Sequence, residues 1–222
     1  MTLTFLDLYN ECAGQPWSMF DNDAESIDDF ESAMKISINK ALSYLWNLKF
    51  WSFRKYTQKI KTRIGREHYQ KPNGIIEKKV IGGASKYSVK YGRTFLDYEN
   101  DYEILEDKTG EPEGFYLKDD NILFYPTPDS DYTINIDYFL LPYGLNNVEE
   151  QIYELKADDD YINIPERYET LFKNCLISLS MIYAIADDSD ENHSGYQRQY
   201  ENSLKTLIDY CQNGISERNI TW

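Results

Sequence analysis

Two hundred and twenty-two residues are enough for one large domain or two small ones, and a chain of this length buries a core without disulfide or metal staples. Against 23 Lys and Arg stand 38 Asp and Glu, a formal charge of −15, which argues against an extended basic surface for gripping phosphates and so against sequence-specific nucleic-acid binding. Hydrophobic residues at 41% and 20 tyrosines argue equally against a disordered acidic chain.

The first predicted element is a short amphipathic helix over 4–12, ended by Ala13-Gly14 and Gln15-Pro16. A long helix follows from Ser26 to Phe50, because Ile27, Phe30, Met34, Ile38, Ala41, Leu45 and Leu48 recur at spacings of three or four and make one apolar stripe. From Ser52 to Leu145 the period shortens and most of the Gly and Pro are found, so this stretch reads as strands and turns. Its clearest strand is 132–138, where Tyr132, Ile134, Ile136 and Tyr138 alternate with Thr133, Asn135 and Asp137. Residues 114–118 and 122–125 flank Asp119-Asp120-Asn121 and form a predicted hairpin. Weaker strands are expected over 52–62, 75–81, 87–90 and 95–98, with a turn at Gly82-Gly83.

Helical character returns at Pro165, placed at the first helical position, and runs to Ala186 along Tyr168, Leu171, Cys175, Leu179 and Ile182, widened by Phe172, Leu176 and Tyr183. Its apolar window, 175–186, is shorter than the roughly 20 residues of a membrane span. The run 187–190 caps a last helix carrying Tyr196, Tyr200, Leu204, Leu207 and Cys211, with a stop at Asn213-Gly214. The expected architecture is α+β: an antiparallel bundle of N- and C-terminal helices (1–51 and 164–213), an inserted all-β module of sandwich or barrel type (52–163), and a tail (214–222).

Reactive chemistry is poorly represented. Cys12, Cys175 and Cys211 are widely spaced without a CxxC pair, which gives neither a disulfide framework nor a zinc pattern and fits a reducing compartment. Asp7 and Glu11 stand where a secretory signal would need a basic start and an apolar run. The two histidines, His68 and His193, lie in polar surroundings. Asp188, Asp190 and Asn192 imitate the start of a calcium loop, but His193 stands where that loop requires Gly and Gln199 where it requires Glu. Asp158-Asp159-Asp160 reads as a solvated turn, and Gly82-Gly83 lacks the spacing of a phosphate-binding loop. No catalytic residue, cofactor or metal is assigned. The aromatic cluster Trp46, Phe50, Trp51 and Phe53 reads as a core seam between layers, with a partly exposed stacking or subunit-contact surface as the rival.

An ordered series of short motifs carries a family resemblance. These are 41–46 followed by Phe50-Trp51-Ser52-Phe53; Gly110-Glu111-Pro112 with Phe115-Tyr116; Leu123-Phe124-Tyr125-Pro126-Thr127-Pro128; and Ile164-Pro165 with Tyr168. Over roughly 30–210 the chain resembles the short-tailed phage head-tail adaptors, the family of tail tubular protein A and tail accessory factor. Glu111 departs from the Arg usual in that pattern, so no contact of that Arg carries over; Gly110 and Pro112 are expected to hold the hairpin geometry.

The resemblance implies a non-enzymatic virion protein: a ring of twelve copies beneath the portal, carrying the next tail nozzle or tube component around a channel through which DNA leaves without specific binding. It would be made in the host cytoplasm and have no membrane partner. Ring closure requires two different contact patches per subunit, and Trp46, Phe50, Trp51, Phe53, Phe172, Leu176 and Tyr183 are the expected subunit or module interface. The β-module signature is Gly110, Pro112, Tyr125, Pro126 and Pro128, and Ile215, Ile220 and Trp222 are expected to dock on the portal. Twelve copies would carry a formal charge of about −180, enough to line a channel that repels phosphate. The competing classes are a tail-associated cell-wall glycosidase of muramidase type, which needs an Asp/Glu pair in a cleft, and an acidic carbohydrate-binding module using the aromatic seam.

Overall fold

A computed structural model describes residues 3–14, 27–99, 108–185 and 191–216. The protein is α+β and divides into two compact units, Met1–Arg54 with Pro142–Trp222, and Lys55–Leu141. Unit 2 is thus one continuous stretch, and unit 1 is assembled from the chain on either side of it.

In chain order the elements begin with α1 (Phe5–Ala13), α2 (Ile27–Asn47) and a 3-10 turn at Ser52–Arg54. Unit 2 then contributes β1 (Lys55–Lys61), β2 (His68–Gln70), β3 (Gly74–Ile76), β4 (Lys78–Ile81), β5 (Ala84–Tyr87), β6 (Val89–Tyr91), β7 (Thr94–Phe95) and β8 (Asp97–Tyr98). It continues with β9 (Thr109–Gly110), β10 (Gly114–Lys118), β11 (Asn121–Tyr125), β12 (Thr127–Pro128) and β13 (Thr133–Leu140). Three short strands, β14 (Gly144–Leu145), β15 (Gln151–Ile152) and β16 (Tyr161–Ile162), precede α3 (Glu166–Ala184) and α4 (Glu191–Ser216).

In unit 1, α1 opens with a capping box. The Thr4 hydroxyl accepts from the Asp7 amide and the Asp7 carboxylate accepts from the Thr4 amide, both at 3.1 Å, satisfying two orphan donors of the first turn. Most of the predicted stripe of α2 is observed, with Phe30, Met34, Ile38, Ala41 and Leu45 buried, but the helix ends at Asn47 and Leu48 beyond it is exposed. α3 packs on α1, α2 and α4, which is why Phe172, Cys175, Leu176, Ser178, Ser180 and Met181 are all buried on it. Its two serines are tolerated there because each hydroxyl donates one turn back, Ser178 to Asn174 O at 3.0 Å and Ser180 to Leu176 O at 2.7 Å.

In unit 2, β13 is the central strand. It pairs antiparallel with β1 along seven residues, and with β6 over Ile134–Ile136 and β3 over Tyr138–Leu140. Ile134 and Ile136 point inward with Ile60 and Val89, and join Tyr69, Phe115, Ile122 and Phe124 of the second sheet (β2-β11-β10-β8) in one cluster. The β10–β11 hairpin closes on Asp119-Asp120, since Lys118 pairs with Asn121, and Asp119 sits in the left-handed region at φ 54°. Gly82 and Gly83, at φ 57° and 84°, close β4–β5 in the same way, a geometry that favours glycine at both positions.

Several sequence expectations are corrected. Pro165 is the N-cap of α3, with ψ 138°, and Glu166 is its first helical residue. The expected strands over 75–81, 87–90 and 95–98 are each broken into two pieces, with Glu77, Ser88 and Leu96 at the breaks. The chain leaves the β unit at Leu141, where 163 was expected, because β14 pairs β15 and β16, Thr4 bridges Tyr161, and Tyr143, Leu155 and Ile162 enter the core of the helices. Asp160 is not solvated: its Oδ2 accepts from the Lys156 and Ala157 amides at 2.6 and 2.9 Å, and it is buried. Asn213-Gly214 does not stop the last helix, which runs to Ser216; glycine has no steric bar to the helical conformation and costs only ~0.5–1 kcal/mol there relative to Ala.

Candidate interaction surfaces

The segment after α2 has a structural task that its aromatic composition alone did not reveal. The last carbonyls of a helix lack intrahelical partners. At the end of α2, Leu48 N donates to Tyr44 O at 2.9 Å, Trp51 Nε1 donates to Leu45 O at 2.8 Å, and the Arg54 guanidinium donates to Trp46 O. Asn47 Nδ2 donates to Ser43 O at 2.9 Å. Trp51 stacks on Phe53 (5.8 Å, 7° between planes), and Phe53 meets Trp46, Tyr168 and Phe172 at centroid distances of 5.1–5.8 Å. Trp46, Trp51, Phe53, Phe172 and Leu176 therefore lie in the core of unit 1 and Tyr183 at its margin, while Phe50 is 59% exposed. Arg54, 2% exposed, was not singled out by sequence reasoning. Its guanidinium lies over the Trp46 ring at 5.1 Å, and burial lowers its pKa to about 10.

The β-module signature comes together in space. β9 and β12 pair in parallel, with Thr127 opposite Thr109 and Pro128 opposite Gly110, and Glu113 N donates to Tyr125 O at 2.8 Å. Gly110, Pro112, Tyr125, Pro126 and Pro128 thus form one patch, in which Pro112 and Pro128 are buried, the Tyr125–Pro126 bond is cis and Glu111 is exposed. A Cβ on Gly110 would meet Pro126 at 3.7 Å, an ordinary contact. Of the expected portal-docking residues, Ile215 falls in the last turn of α4, and Ile220 and Trp222 lie outside the described residues, as do 187–190 of the calcium-like run.

Asp137 organises a polar network on the outer side of the β13 sheet. Its Oδ1 accepts from Thr57 Oγ1 (2.7 Å) and its Oδ2 from Ser88 Oγ (2.8 Å), with Lys90 and Lys79 at 3.3 and 3.4 Å; Glu77 bridges Lys79 and Lys55. Desolvation opposes its ionisation, but these hydrogen bonds and lysines win and hold its carboxyl well below the usual range. That is the reverse of what a general acid requires.

Formal charge is distributed unevenly. Residues 55–93 carry eleven Lys and Arg against Glu67 and Glu77, a local balance of +9 that whole-chain arithmetic conceals. Unit 1 carries −13 and unit 2 only −2. Exposed apolar side chains occur in both units: Ile36, Tyr44, Leu48 and Phe50 in unit 1, and Val80 (77% exposed), Ile81 and Ile64 in unit 2. Among the described residues no group of three His, Cys, Asp or Glu could hold a metal ion, and no helix is long and apolar enough to cross a membrane.

No curated protein matches the chain. The family model described as SU10 adaptor protein matches residues 4–219, which takes in both units. That match agrees with the phage head-tail adaptor resemblance of the motif series, and it identifies a structural protein of the bacteriophage virion that works in contact with other head and tail proteins. By this match the chain belongs to the SU10 adaptor protein family.

Proposed function

We propose that the protein is a connector ring, in which twelve copies sit beneath the portal, carry the next tail nozzle or tube component, and surround part of the channel through which DNA is ejected. The observation that carries this reading is the adaptor-family match over 4–219. The scaffold supports it. We read unit 1 as a helical bundle and unit 2 as a sandwich-like β insert, a division that gives each subunit two chemically different bodies with which to meet two neighbours. Of the aromatic group, Phe50 is exposed beside Tyr44 and Leu48 and is the proposed subunit contact, and the buried members hold the scaffold that presents it. The −15 charge supports a channel wall that repels the phosphate backbone, so that DNA slides without specific binding. Function resides in these contacts and in no reactive centre.

Residues 214–222 are the proposed portal-docking tail, with Ile215, Ile220 and Trp222 as its anchors. The protein accumulates in host cytoplasm and joins the virion neck during assembly. Mixing it with purified portal rings and examining the product by electron microscopy tests the reading: a twelvefold collar on one face of the portal is expected, and portals without added density refute it.

A further inference from the structure

The β4–β5 hairpin forms a two-stranded sheet of its own. Its base is held by Tyr87, whose ring meets Tyr98 and Phe115 at 4.9 and 5.8 Å; beyond that support a two-stranded ribbon is marginal in water unless something packs on it. All six residues of its tip, 80–85, are exposed, with Val80 at 77% and Ile81 at 38%, and Lys78, Lys79 and Lys86 stand behind them. Lysines on an exposed ribbon guard against aggregation, but a guarded tip does not offer solvent a Val-Ile pair. In unit 1, the segment following β14 lines an open concavity of about 590 Å³ whose walls include Ile152, Tyr153, Glu154 and Ala157. Tyr153 is 56% exposed and Val148, beside Asn147 of the wall, 66%. The 146–160 segment carries six carboxylates against Lys156, which lies in the wall 3.6 Å from Glu154 and leaves the segment a balance of −5.

We propose that the β4–β5 hairpin of one copy inserts Val80 and Ile81 into the concavity of a neighbouring copy, with Lys78 facing Glu154 and the adjoining carboxylates. The occupant is a second copy of this chain because the two surfaces match in both chemistry and charge: exposed apolar groups meet exposed apolar groups, and the basic 55–93 stretch meets an acidic segment of the −13 unit. Knob and concavity lie on different units, so every copy offers one of each. The contact is heterologous and propagates head to tail, as a closed ring requires. It also assigns the local basic excess to a protein contact, leaving the acidic balance to face DNA. This inference rests on the ring reading and specifies which surfaces meet within it.

Chains with one added, exposed cysteine test it, since the native Cys12, Cys175 and Cys211 are buried. V80C and A157C chains, mixed in equal amounts alone and with portal rings, are treated with a short bismaleimide while mass photometry records the oligomer. A covalent dimer from the mixture, absent from either variant alone, is expected. K78E on the V80C chain should reduce its yield, and E154K on the A157C chain should restore it. Rings without this product overturn the hairpin contact and leave the ring reading intact. A product that needs a different tail protein and joins the hairpin to it also overturns the contact. Absence of any oligomer, with or without portal, removes both.

Discussion

Trp51 and Arg54 terminate α2 by lending side-chain donors to carbonyls that the helix cannot satisfy itself. W51F keeps most of the ring volume but removes Nε1, leaving Leu45 O buried without its partner. It should lower the free energy of urea unfolding by about 1–3 kcal/mol. F50A, one residue away on an exposed side chain, should cost less than W51F. Equal losses in the two variants would contradict the capping role. Asp137 gives a second test, on pH. Its carboxyl is held low in the folded state against 3.8 unperturbed, so its contribution is complete above pH 3.8 and declines as pH falls toward the folded value. D137N should cost about 1.5–3 kcal/mol near neutrality. The gap from the parent in urea unfolding should stay constant above about pH 5 and narrow below pH 3.8; a gap that widens on acidification would refute the assignment.

At the scale of elements, glycines separate backbone necessity from family pattern. A Cβ on Gly74 would sit 2.4 Å from Phe139 O and from a ring carbon of Tyr138, and the backbone atom cannot swing away. G74A should therefore open the β3–β13 pairing and lower stability by about 1–3 kcal/mol. Gly110, a signature residue, has ordinary room, so G110A should fold with a nearly unchanged melting temperature. The helices were legible because their apolar residues recur on one face: the stripe of α2 and the Tyr168–Leu179 face of α3 were readable directly. β13 was legible from its alternation at period two, and the β10–β11 hairpin from its polar turn, since its strands bury consecutive residues and do not alternate. The short strands were not. Ser88 is a buried polar residue at the β5–β6 break whose Oγ donates to Asp137, and no local period announces a partner 49 residues away. The assignment of 142–163 to the β module failed likewise, since no local pattern shows that this segment packs on α1. Of the interaction surfaces, the signature motifs were legible as a series. Arg54 and the +9 stretch required burial and segmental charge, and the concavity beside Tyr153 has no sequence pattern.

For the whole molecule, the account joins an acidic two-unit subunit to a virion neck through its contacts alone. A chain ending at Ser216 keeps all of α4 and the anchor Ile215 but loses Ile220 and Trp222; it should match the parent's melting temperature while attaching much more weakly to portal-bearing capsids in a pull-down. Full attachment by that truncated chain would remove the docking role of the tail. The most direct measurement of the central claim is cryo-electron microscopy of the protein bound to portal rings. The account predicts a closed collar of twelve subunits coaxial with the portal and open along its axis; a single asymmetric copy on the portal, or no bound density, would contradict it.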